Sequence, residues 1–226
     1  MKRITPLVLI AVSLVLFFTV GCAPKKAAPA AQASMAAPVP RGMVVFFEGD
    51  VKIDGTAAEI GRALGAKTLI ETGSGASCDI VFDGKNALRV SQNAVAALDF
   101  SGIVKEVTLK KGGLTSVLRK LDKIAGTDSF RVVTPIAIAG VRGTSFCVWV
   151  DDKSTYVCAC NGTVKTIDAK GSNELVLSAA HHTARNYLMK GETIGLSTAG
   201  VEHHSDAGME SLAARIGEKI DWSKED

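Results

Sequence analysis

Residues 132–160 constrain the fold of this chain more than any other stretch. Val132 and Val133 read as a strand, and Pro135 fixes φ and removes a backbone donor, so pairing must break there. Gly140 and Gly143 bracket Val141 and Arg142, where the backbone can take positive φ without a Cβ clash. The chain then re-enters a strand, Ser145 to Val150, rich in Phe, Val and Trp. The pattern predicts strand, bend, Gly-Val-Arg-Gly corner, strand. At such a corner the planar donor fork of Arg142 can tie exposed carbonyls together, which is a structural role.

Past Val150, Asp-Asp-Lys-Ser marks a turn, and Thr155 to Cys160 returns as the second arm of a hairpin. If Val150 faces Thr155, Cys147 lies opposite Cys158. Phe146, Val148, Val150 and Val157 then share one face; Cys147, Trp149, Tyr156, Cys158 and Cys160 share the other. Both faces are apolar, so both require cover. The material left for the sulfur-bearing face is the C-terminal segment. There Met209, Leu212, Ala213, Ile216 and Ile220 fall at helical spacing behind Ser205 and Asp206 as a cap. This predicts an amphipathic helix over Ala207–Trp222. The tail from His181 should dock on the sulfur face, burying Leu212, Ile216 and Trp222.

The run Thr-Pro-x-Ala-x-Ala-Gly-Val-Arg-Gly-Thr-x-Phe, filled at every position from Thr134 to Phe146, resembles the signature of the FecR family domain. Weaker similarity continues upstream in Gly49-Asp-Val-Lys-Ile53, Ile70-Glu-Thr-Gly73 and Val81-Phe-Asp-Gly84, so the resemblance covers about residues 42–168. It implies a periplasmic, mainly β module built like a short β-solenoid or roll, to which this chain adds a C-terminal helix. Thr134, Pro135, Gly140, Arg142, Gly143 and Thr144 are its structural motif. In the regulators that gave the family its name, the module relays an outer-membrane transport signal to a cytoplasmic sigma factor. The resemblance does not reach the His-bearing tail. Neither the regulators' sigma-binding segment nor their inner-membrane span is recognisable, so direct transmembrane signalling is not expected.

Lys2 and Arg3 precede an apolar run from Leu7 to Val20, the charged and hydrophobic regions of an export signal too short for a mature span. The run ends in Thr19-Val-Gly-Cys22, which looks like a lipobox, making residues 1–21 a signal peptide and Cys22 a lipidated N-terminus. By resemblance to enterobacterial sorting rules, Ala23 in the following position favours the outer membrane. Residues 22–41, rich in Ala, Pro and Lys, cannot bury enough surface to fold and read as a flexible linker. The expected organisation continues with a β domain over 42–168 and a β extension with the helix over 169–226, packed on the same domain. Loss of Lys2 and Arg3 takes the formal charge from +3 to +1. With no basic run interleaved with aromatics, nucleic acid is not expected as a partner. The membrane, through the lipid, and another envelope protein are.

The remaining elements are short and punctuated by turn residues, as in an all-β roll, sandwich or solenoid. A hairpin is expected over Met43–Ile53, and a loop or helical turn over 57–66. Cys78 should share a buried face with Ile80 and Phe82. Separate strands are expected at Val95–Phe100, Val104–Leu109 and Leu114–Leu118, then an exposed loop or short helix over 118–125. Further strands fall at Leu175–Leu177 and Tyr187–Leu188.

All four histidines lie in the tail, as His181-His182 and His203-His204. Two chemistries are open to the sulfur face. Cys147 and Cys158 can form a disulfide in an exported protein or stay as buried thiols. Alternatively Cys158, Cys160 and Cys147, with His181 and His203, can bind zinc or copper. Adjacent histidines in strands point to opposite faces, so one of each pair at most serves one ion. No hydrolase elbow, zincin helix or phosphate loop is present, so no catalytic residue is expected. These readings favour a non-enzymatic, lipid-anchored binding, scaffold or signal-relay module. A periplasmic metal or redox sensor is the alternative.

Overall fold

The computed structural model describes residues 41–119, 129–141 and 143–224. The signal peptide, Cys22, the linker up to residue 40, most of the 118–125 loop, and Arg142 lie outside the described residues.

Sixteen strands and one helix are described: β1 (Gly42–Glu48), β2 (Val51–Ile53), β3 (Thr56–Ala57), β4 (Ala63–Leu64), β5 (Lys67–Thr72), β6 (Ser77–Phe82), β7 (Asn86–Val90), β8 (Val95–Asp99), β9 (Lys105–Leu118), β10 (Phe130–Val133), β11 (Ala137–Val141), β12 (Ser145–Asp151), β13 (Ser154–Asp168), β14 (Glu174–Ala179), β15 (Thr183–Lys190), β16 (Thr193–Ala199) and α1 (Asp206–Ala214). They form two sheets. The front sheet runs β4-β1-β6-β7-β9-β12-β13-β15-β16. The back sheet runs β3-β2-β5-β8-β9-β10-β11-β13-β14. Strands β9 and β13 belong to both: each pairs in one sheet with its first half and in the other with its second. The ring β9-β12-β13-β11-β10 therefore closes on itself, with β10 parallel to β9. The mainly β expectation is met by a closed barrel core with extra strands, not by the stacked coils of a solenoid.

Two local expectations change because strands cross between sheets. Met43–Ile53 is not a hairpin: β1 pairs with β6 and β4 in front, while β2 pairs with β3 and β5 behind. Val104–Leu109 and Leu114–Leu118 are one bent strand, β9. The bend falls at Gly112, where an added Cβ would sit 2.5 Å from the Ala94 Cα, so only glycine permits this approach. The 57–66 stretch holds the end of β3 and the two-residue strand β4 around turns. β16, over Thr193–Ala199, adds a strand that the sequence pattern does not mark.

The motif builds the rim of the barrel. Pairing stops at Val133 and resumes at Ala137, with Pro135 at the tip of the β10–β11 turn. Buried Thr134 holds that turn: its Oγ1 accepts from the Ala137 N–H at 2.9 Å and lies 2.9 Å from Thr155 Oγ1 on β13. Gly143 takes φ +72°, as expected of the corner, but Gly140 stays inside β11. Thr144 Oγ1 donates to the Thr163 carbonyl at 2.9 Å, joining the corner to β13.

Between the sheets lies a carbon-rich core including Cys78, Ile80, Phe82, Phe100, Phe130, Phe146, Val148 and Val157. Cys78 lies on the inner face with Ile80 and Phe82, and burial pushes its thiol up to about 12. A second cluster lies on the outer face of the front sheet: Ala87, Val117, Cys147, Tyr156, Cys158 and Cys160 against Met209, Leu212, Ala213 and Ile220. The tail covers the sulfur face, with Ile216 and Trp222 only partly buried beside it. The helix ends at Ala214, short of the expected Trp222. Gly217, at φ +69°, turns the chain so that its N–H donates to Ala214 O and the Glu218 N–H to Ala213 O.

Candidate metal centre

The hairpin register is the one the sequence predicts, with Val150 opposite Thr155 and Cys147 opposite Cys158. Alternation turns Cys158 and Cys160 toward the tail and Ala159 into the barrel core. A register shift between Ser145 and Phe146 skips Cys160, leaving it unopposed on β12. Such a bulge re-aims side chains, and here it lies beside two histidines.

His182 sits in the turn between β14 and β15, its N–H donating to the Cys160 carbonyl at 3.0 Å. It adopts φ +58°, an uncommon conformation for a residue with a side chain. His204 precedes Ser205, the N-cap of α1, whose Oγ accepts from the Gly208 N–H at 3.2 Å. Four donor atoms meet between these segments. Cys158 Sγ is 3.7 Å from Cys160 Sγ and 3.6 Å from His182 Nδ1. Cys160 Sγ is 3.2 Å from His204 Nε2, and the two ring nitrogens are 3.3 Å apart. All four lie within 4.8 Å of one another.

The far sides of both rings are held. His182 Nε2 is 2.7 Å from Asp206 Oδ1, and His204 Nδ1 is 2.6 Å from the Glu202 carbonyl. The Asp206 carboxyl is lowered from its ordinary range, first because of the His182 hydrogen bond. The Cys158 thiol is pulled down by hydrogen bonds from Cys160, His182 and His204 against the opposing effect of burial; Cys160, more deeply desolvated, is pushed up. Burial lowers the His204 imidazole, but contacts with the Cys147 and Cys158 sulfurs outweigh it and raise it to about 10. The group can therefore act as a thiolate–imidazolium cluster or as a soft-donor cation site.

Of the residues proposed from sequence, Cys158 and Cys160 are in the cluster. Cys147 stands at its edge, its Sγ 3.9 Å from Thr115 Oγ1. His181 and His203 are displaced by their neighbours. His181 is half exposed and reaches the other oxygen of Asp206 at 3.0 Å. His203 stacks on Trp149 with ring centroids 4.6 Å apart. The choice within each pair was not readable because both pairs lie in turns rather than strands, so alternation does not apply. Cys78, Cys147, Cys158 and Cys160 are free thiols, and the Cys147–Cys158 disulfide is not formed. The Cys158 sulfur is instead turned toward Cys160 and His182.

Sequence reasoning missed the polar clasp beside the cluster. Fully buried Asp79, on the outer face of β6, accepts from Arg89 Nε at 2.6 Å and from Arg215 Nε at 3.0 Å. Arg89 also donates to the Gly208 carbonyl at 3.3 Å, and Arg215 lies 4.3 Å over the Phe46 ring. The signal available was Asp79, a lone carboxylate between two strand positions that face the core.

The pattern of the family described as FecR protein matches residues 68–165, from within β5 to near the end of β13. Cys158 and Cys160 fall inside that span, and His182 and His204 beyond it. No curated protein matches the chain. Two crystal structures from Parabacteroides distasonis, each of a protein assigned as an anti-sigma factor, are similar to it. One has a TM-score of 0.48 and 17% identity, covering 58% of this chain and 60% of that one. The other has 0.47 and 16%, covering 57% and 59%. The chain thus spans about three fifths of those it resembles. Residues 68–165 are a FecR family domain.

Proposed function

We propose that this chain is a non-enzymatic module of the cell envelope, held by lipid on Cys22 at the periplasmic face. It presents its β domain to another envelope protein as a scaffold or signal relay. The observation that carries this reading is the FecR family domain at 68–165. Two of its motif side chains are spent on the fold itself, Thr134 on the β10–β11 turn and Thr144 on β13. The lipobox-like Thr19-Val-Gly-Cys22 supports the anchor, and Ala23 favours the outer membrane. The test is crosslinking in intact cells followed by capture, comparing the native chain with Cys22→Ser. The native chain should incorporate labelled palmitate, sediment with membranes and crosslink to a discrete envelope protein; the variant should lose palmitate and membrane association. Palmitate retained by the variant contradicts the anchor. A native chain without a discrete crosslinked partner contradicts the relay.

A further inference from the structure

We infer that Cys158, Cys160, His182 and His204 form a tetrahedral site for a zinc-class divalent cation that staples the C-terminal tail to β13. The four donor atoms are spaced as zinc requires. Zinc bonds of ~2.3 Å to sulfur and ~2.0–2.1 Å to nitrogen give tetrahedron edges of roughly 3.8 Å between sulfurs, 3.3–3.4 Å between nitrogens and 3.6 Å for mixed pairs. The observed sulfur–sulfur and nitrogen–nitrogen edges are 3.7 and 3.3 Å, and two mixed edges are 3.6 and 3.2 Å. No side chain need move by more than a few tenths of an ångström along these four edges.

The partners behind the two rings also direct their lone pairs. The Glu202 carbonyl can only accept, so His204 Nδ1 must carry a proton, and neutral His204 presents a bare Nε2 to the cluster. The Asp206 carboxylate selects the tautomer of His182 in the same way, so that the neutral ring leaves Nδ1 free for a cation. With both imidazoles neutral, two nitrogen lone pairs and two sulfurs converge on one point, and a cation there takes the place of the protons that otherwise link the rings to the Cys158 thiolate. Carboxylate and carbonyl partners behind imidazole ligands are the usual outer support of a zinc site.

The donors come from a bulged strand, from a turn whose histidine sits at φ +58°, and from the link to α1. Independent backbone devices converge on one point, which simple burial of apolar surface does not require. Two thiols and two imidazoles suit zinc; hard calcium and magnesium prefer oxygen. The neighbouring trio of His181, His182 and Asp206 shares His182 and includes the half-exposed His181, so it is outer support rather than a second site.

The test uses the full chain, purified under reducing conditions without a polyhistidine tag. Metal content is measured by plasma mass spectrometry, and the chelator-stripped protein is titrated with cobalt(II). We expect about one zinc per chain, as befits a closed structural site. Cobalt should give intense tetrahedral d–d bands and a sulfur-to-cobalt charge-transfer band, displaced by zinc. Cys158→Ser and His204→Ala should lose stoichiometric metal. Asp206→Ala should weaken binding roughly 10- to 100-fold, the usual effect of removing outer support. His181→Ala and His203→Ala should keep it. A reduced, folded native chain that takes up neither metal, or whose cobalt spectrum survives Cys158→Ser, overturns the inference. In the first case the cluster is a thiolate–imidazolium pair. The native-chain spectrum decides even if a variant fails to fold.

Discussion

The two faces of the front sheet are closed by different chemistry. The inner face is filled by phenyl rings and branched aliphatics: Phe82 and Phe100 have centroids 4.8 Å apart, and Phe130 and Phe146 6.1 Å apart. Its partner is the back sheet, continuous with it through β9 and β13. The outer face mixes sulfur, imidazole and guanidinium with a few apolar side chains, and its cover is a nine-residue helix on a long link. The inner core therefore rests on non-directional burial. The outer one depends on directional contacts, namely the cysteine–histidine cluster, the Asp79 clasp and the helix cap. Buried Asn161 adds another: its Nδ2 donates to the Asp221 and Lys224 carbonyls at 3.2 and 2.8 Å, tying down the end of the tail. The difference teaches that the barrel should stand without the tail, whereas the tail should not dock without these contacts.

The largest effect should come from emptying the inner core. Phe146→Ala should cost about 3–5 kcal/mol and lower the melting of the entire protein in one transition. If the loss were confined to the tail, the division into two faces would fail. On the outer face, Leu212→Ala should cost about 2–3 kcal/mol, at the low end for leucine because the helix can shift to refill the space. Limited proteolysis should then cut within 200–222 while the barrel survives. Asp79→Asn comes next, at about 2 kcal/mol. Breaking a buried pair usually costs more, but Arg89 and Arg215 can partly rehydrate, their side chains being 19% and 31% exposed. Its signature should be faster amide exchange in α1 with β10 and β11 unchanged. The smallest effect should be Ser205→Ala, about 1 kcal/mol from the lost cap, read as a small shift in tail release by chemical denaturation.

The same contrast explains what could be read from the sequence. Alternation in Ser145–Val150 and Thr155–Cys160 located both faces and their register, because a one-residue slip would turn phenylalanine outward and cysteine inward. The demand for cover followed, and the tail supplies it. The directional parts were not legible. His182 and His204 displace His181 and His203 because turn geometry, which no periodicity encodes, decides which ring points inward. The helix stops early because Gly217 closes it, although apolar spacing continues to Ile220. Crossing between sheets also hides from local pattern: Gly112 looked like a gap between two strands and is a bend in one.

Maleimide labelling of the reduced, intact chain, located by mass spectrometry with and without a zinc chelator, tests the two-face account most directly. Cys78, in the inner core, is the internal reference for Cys147, Cys158 and Cys160 on the outer face. The account predicts that all four are protected in untreated protein. Chelation should release the tail and make the three outer cysteines react while Cys78 stays protected. Immediate labelling of the outer cysteines without chelator, or their exposure only together with Cys78, would contradict it.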